Sequence, residues 1–166
     1  QLRDLGITHE HVRSQVSAQR WTPLGPRVVV LSTGVLTRAQ RRAVAVAHAR
    51  PCSALAGHTA LESLGLRGWD RDAVHVVVPH GRLPPRLAGI VVHQTRHLTP
   101  VDLVRGSWPP CTTAARATID AASWERHERA ASGLVIASVQ QRLTTPAASA
   151  TRPTVIGSGW TTVVEI

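Results

Sequence analysis

The stretch QLRDLGITHEHVRSQVSAQRWTPLGPRVVVL, residues 1–31, decides how the rest of the chain is read. Leu2 and Leu5 form one apolar edge of a short helix, and Gly6 supplies the left-handed turn that ends it. Thr8 is a good N-cap for a second helix, and Glu10 lies in its first turn, where the helix dipole favours an anion. Val12 and Val16 are four apart and point to one side. His11, Arg13, Ser14 and Gln15 are left for the other faces. Trp21 and Val28–Leu31 then read as two short strands around Pro23–Pro26. Helix, turn, helix and a small ribbon is the order of a winged helix-turn-helix, a shape used mainly to hold one helix in a DNA groove.

On that reading the second helix offers Thr8, His11, Arg13, Ser14 and Gln15 to DNA. Arginine reads guanine and glutamine reads adenine through paired hydrogen bonds. Arg20 and Arg27 flank the wing and suit phosphates. Trp21 serves as the anchor of the wing's own packing. Residues 1–50 hold eight arginines (Arg3, Arg13, Arg20, Arg27, Arg38, Arg41, Arg42 and Arg50) against Asp4 and Glu10, six of the nine net positive charges. A basic end speeds encounter with polyanions, and it equally serves as a solubilising face. The chain has 19 arginines and no lysine. It also lacks Asn, Phe, Tyr and Met, so a GC-rich coding sequence explains the choice of arginine but not the excess of positive charge.

The 166 residues suffice for one domain or for one small and one medium domain. Ser32–Gly34 is a linker. Thr37 and Gln40 form a capping box for the next helix, which runs to about Ala49 before Pro51. A helix over about His58–Ser63, strands at Val74–Val78 and Ile90–Gln94, and a third strand at Val101–Arg105 follow. Thr112 or Thr113 caps a helix to about Ser123. An amphipathic helix over Glu125–Arg142 turns Ala130, Leu134 and Val135 inward. From Ala147 the chain becomes a loose hairpin rich in Ser, Thr and Gly.

Several chemistries are excluded by residue type. Without lysine there is no P-loop, no Ser-Lys dyad and no carboxylate/Lys metal centre. GSG at 157–159 is not a nucleophile elbow. His9 and His11 are two apart, His93 and His97 are four apart but straddle a strand end, and His75 and His80 flank a turn. No pair carries the logic of an H-E-x-x-H site, and no metal or other cofactor is expected. Arg116 and Asp120 stand four apart on one helix and can pair. Cys52 and Cys111 read as partly buried free thiols of a reducing cytoplasm. No run of 18 apolar residues exists, so no membrane span is expected. The start at Gln1 reads as a cut or processed edge.

Five segments in order carry a resemblance to a known family. They are LRDLGIT (2–8) with Arg20-Trp21, SALAGHTALESLGL (53–66), VHVVVP (74–79), VVHQTRHL (91–98) and TTAARATIDAA (112–122). Together they resemble the AbiE-type antitoxins, type IV toxin–antitoxin and abortive-infection regulators abundant in actinobacteria. The resemblance spans roughly residues 2–143. It implies an α+β protein: a winged helix-turn-helix over 1–33, a small antitoxin-like α+β domain over 34–146, and an irregular tail over 147–166. One further helix is expected ahead of Leu2, missing from this sequence. The family represses its own operon by binding operator DNA, and its second domain opposes a nucleotidyltransferase-like toxin. Thr8–Arg20 match the recognition helix and Trp21–Val30 the wing. Thr112, Arg116 and Asp120 match a T-x-x-x-R-x-x-x-D signature whose role is structural.

The expectation is therefore a cytoplasmic, non-enzymatic, DNA-binding transcriptional regulator with double-stranded operator DNA, and a toxin, as partners. The alternative is a non-catalytic interaction or DNA-targeting module. It follows from look-alikes in which this unit precedes a very-short-patch-repair-like endonuclease domain, beginning after the position of Arg142.

Overall fold

The structure, a computed structural model, describes residues 5–49 and 52–145, together with the backbone of Thr162 and Val163. The first helix, α1 (His9–Ser17), starts where the Thr8 hydroxyl accepts the His11 amide hydrogen at 3.2 Å. Gly6 ahead of it has φ +72°, the left-handed turn expected there. Most of the short helix read from Leu2 to Leu5 lies outside the described residues. Strands β1 (Thr22–Leu24) and β2 (Val28–Val30) pair antiparallel, Leu24 opposite Val28, across a turn of Gly25, Pro26 and Arg27. Trp21 therefore stands just before the ribbon and not within it.

The larger unit is a four-stranded sheet with helices against it. Thr37 and Gln40 open α2 (Arg38–Ala49) reciprocally: the Thr37 amide donates to Gln40 Oε1 at 2.8 Å and the Gln40 amide donates to Thr37 Oγ1 at 3.2 Å. Strand β3 (Ala54–Leu55) leads into α3 (Gly57–Ser63), then β4 (Val74–Pro79) and β5 (Ile90–Thr95). The sheet order is β3-β4-β5-β6, with β6 at Thr162–Val163. β4 and β5 run parallel, Val74 beside Ile90 and Pro79 beside Thr95, and both outer pairings are antiparallel. Helices α4 (Ala114–Trp124) and α5 (Glu128–Gln140) complete the layer over the sheet.

β4 is buried on both faces, as a β-branched run without polar alternation requires. Val74, Val76 and Val78 face the main core of Ala45, Val46, Leu61, Ala117, Ala121 and Leu134. Val77 packs on the opposite face with Ala54, Ala56 and the half-buried Trp124. Helix α3 begins at Gly57 with φ +51°, where a Cβ would overlap the indole of Trp124. Only glycine lets α3 and the end of α4 approach that closely.

Two expectations need correction. Val101–Arg105 is not a strand: Pro100–Asp102 is a 3-10 turn, because the Asp102 carboxylate accepts from both the amide and the hydroxyl of Thr99. Leu103 alone bridges to Thr112. The cysteines differ from one another: Cys52 is exposed, Cys111 is buried, and both are free thiols. The expected hairpin after Ala147 lies outside the described residues except at β6. No helix among the described residues is long and apolar enough to cross a membrane. The chain is thus a mixed α+β fold with five described helices and two small sheets.

Candidate nucleic-acid interface

Helix α1 has no buried residue. Val12 and Val16 are half-buried on its inner side, with Gln15, while Thr8, His11, Arg13 and Ser14 are exposed. The helix stops at Ala18, whose amide donates to Ser14 O at 2.9 Å. Gln19 takes φ +55°, and the amides of Arg20 and Trp21 then fold back onto Gln15 O. This turn delivers Arg20 to solvent beside the helix end. Arg27 is exposed on the ribbon's turn. Across residues 5–31 the only acid is Glu10, against Arg13, Arg20 and Arg27. His11 is less available than its exposure implies, since its ring and that of Trp21 lie 5.6 Å apart between centroids, with planes at 60°. Trp21 is half-buried and ties the ribbon to α1.

The ribbon rests on the larger unit through its turn. A Cβ at Gly25 would lie 3.3 Å from His48 Cε1 and 3.4 Å from Leu87 Cδ1. His48 is fully buried at the end of α2, and its Nε2 lies 2.7 Å from Pro85 O. α2, the 80–89 loop and the ribbon thus meet at one imidazole.

Arg116 and Asp120 do pair, and the pair is buried. The Arg116 Nε donates to both Asp120 oxygens at 2.8 and 2.9 Å. Its remaining nitrogens donate to His97 O at 2.8 Å and to Thr95 Oγ1 at 3.2 Å, with Asp102 Oδ2 3.7 Å away. The guanidinium therefore joins α4, the end of β5 and the 3-10 turn. Thr112, the third signature residue, is fully buried beside β3. An ion pair at this depth, its Nε–H shared by both carboxylate oxygens and its other nitrogens donating to neighbouring oxygens, orients elements.

A second buried cluster joins residues far apart in sequence. His75 Nδ1 and His93 Nε2 lie 3.0 Å apart, with ring centroids 5.3 Å apart and planes at 14°. The centroid spacing is about the nitrogen distance plus two ring radii, so the rings are nearly coplanar and share one proton in plane. The Trp124 indole covers His93 at 3.4 Å between centroids and 4° between planes. Beside them His58 Nε2 lies 2.8 Å from Glu125 Oε1, which also accepts from Arg71 Nη2 at 2.6 Å.

Burial, followed by the charges of His58, Arg71 and Arg38, pushes the His75 imidazole down to about 4. Burial, then His75 and His58, pushes His93 down to about 2. Burial, then the charge of Arg71, also lowers His58, against the opposing pull of Glu125. For Glu125, burial works upward, but Arg71 and His58 outweigh it and hold the carboxyl below its ordinary range. The cluster is a neutral imidazole pair next to an ionised carboxylate. Among the described residues no group of three or more His, Cys, Asp or Glu is placed to hold a metal ion. Sequence reasoning missed the cluster because its members come from α3, β4, β5 and the end of α4. The one available signal was that His75 and His93 each fall within a β-branched strand.

Comparison with family models, with curated proteins and with solved structures finds no match to this chain.

Proposed function

We propose that the chain is a DNA-binding regulator of the antitoxin type, with α1 as the recognition helix in the major groove and β1–β2 as the wing on the flanking backbone. The observation that carries this reading is the exposure of Arg13, Arg20 and Arg27 around a helix that buries none of its residues, with Glu10 the only acid among residues 5–31. Arg13 and Ser14, exposed on α1, are the base-reading candidates, Gln15 being turned to the inner side, and Arg20 and Arg27 are the phosphate-binding ones. Repression of its own operon would follow from occupying the operator.

The test is fluorescence anisotropy with the duplex upstream of the chain's own gene. Binding should weaken steeply with salt. Arg13→Ala should lower affinity about tenfold and relax base preference, whereas Arg27→Ala should weaken all duplexes alike. No binding at low salt, or an Arg13→Ala variant with wild-type affinity, would refute the reading.

A further inference from the structure

The strand register sends one set of exposed side chains to a single end of the sheet. β4 and β5 are parallel, so both finish at the same edge, Pro79 beside Thr95. The His80 amide donates to Thr95 O at 2.9 Å, and the Gly81 amide to Gln94 Oε1 at 2.8 Å. Arg82 and Arg96 leave the sheet there, both exposed.

The segment through Cys111 reaches this edge from the other side. Cys111 pairs parallel with Leu55, and β3 runs antiparallel to β4. Moving back from Cys111 therefore means moving toward the carboxyl end of β4. Val104 donates its amide to Cys111 O at 2.9 Å, closing the tip that carries Arg105 and Trp108. Within it, the Ser107 amide donates to Val104 O at 3.4 Å and Gly106 takes φ +70°, a tight turn that needs glycine at its third position. The base of the tip is held by Leu55, whose amide donates to Pro110 O at 2.8 Å and whose carbonyl accepts from Thr112 at 2.9 Å.

The tip presents Trp108 with 67% of its surface exposed, unusual for so large an apolar group on a well-anchored turn. Charge is one-sided here. From Ala73 to Trp124 the only acids are Asp102 and Asp120, both buried. The acids Glu62, Asp72 and Glu125 sit toward the opposite end, around Arg38 and Arg71. Arg82, Arg96 and Arg105 form no ion pair among the described residues.

We propose that this end of the sheet is a second nucleic-acid site, distinct from α1 and the ribbon, which takes a single strand: phosphates on Arg82, Arg96 and Arg105, and an unpaired base stacked on Trp108. A duplex offers its phosphates but no free base face, so a solvent-facing indole among guanidinium groups favours the single strand. The backbone of the turn beneath it is already held, so a base landing there does not have to order the chain.

The experiment measures anisotropy of a labelled oligothymidylate against the wild-type chain, Trp108→Ala, Trp108→Phe and an Arg96→Gln/Arg105→Gln variant. Circular dichroism checks folding, which these exposed positions leave intact. Trp108→Ala should bind about tenfold more weakly and Trp108→Phe should keep most of the affinity. The double variant should flatten the salt dependence by about 0.7 for each phosphate it no longer neutralises. Equal binding by wild type and Trp108→Ala, no binding at low salt, or weakening in the arginine variant alone would overturn the proposal. Arg13→Ala should leave the oligothymidylate affinity unchanged, so failure here and failure of the operator reading are read separately.

Discussion

Lowering the pH from about 7.5 to about 5 should destabilise the fold by about 4 kcal/mol through the His75–His93 pair. In the unfolded chain each imidazole titrates near its ordinary value of 6.5, and in the fold they are held down to about 4 and about 2. A depressed value means the unfolded chain takes up protons first. The contribution is present above pH 6.5 and is lost as the pH falls toward the folded values. At pH 5 the unfolded chain holds nearly both protons and the fold almost none, so each group contributes about 2 kcal/mol of the loss. The result depends only on both folded values lying below the window. Glu62 and Glu125, held below the ordinary carboxylate range, titrate outside it.

Urea unfolding monitored by tryptophan fluorescence is the assay. With a slope of about 2 kcal/mol per molar, the midpoint should fall by about 2 M between the two pH values. In the His75→Gln/His93→Gln variant, less stable at neutral pH, the midpoint should move by less than half as much. Parallel curves for the variant and the wild type would refute a neutral, proton-sharing pair, as would a wild-type midpoint that does not move.

Two other outcomes are expected. Gly57→Ala forces a side chain into a left-handed backbone and against the Trp124 ring, and should destabilise by about 3 kcal/mol or more in the same assay. Burial pushes the Cys111 thiol up to about 11, against the charge of Arg42, whereas Cys52 is exposed. A thiol reagent at neutral pH should therefore modify one cysteine quickly and the other only on unfolding, and two equally fast thiols would contradict the fold.

What the sequence made legible was local. Thr37 with Gln40, and Thr8 ahead of α1, announce helix starts through bonds made within three residues. β4 and β5 are legible from their β-branched runs. Their parallel pairing is not, because a ten-residue loop joins them where a parallel crossover usually carries a helix. β3 is two residues long and exists only because Val76, Val77 and the 110–112 segment surround it. Val101–Arg105 misleads because its valines and leucine fit a strand, while the Thr99–Asp102 cap closes a turn first. For the candidate site, Arg13, Arg20 and Arg27 were legible as charge. Trp108 was not, since its exposure is set by where the tip leaves the sheet and not by its neighbours in sequence.

The exposed guanidinium groups of Arg82 and Arg96 also give the carboxyl ends of β4 and β5 a local positive field, since from Ala73 to Trp124 the only acids are buried. A single strand approaching that end is drawn toward it before contact. The orientational search that slows most encounters is then partly complete on arrival, and salt should slow association more than it speeds release.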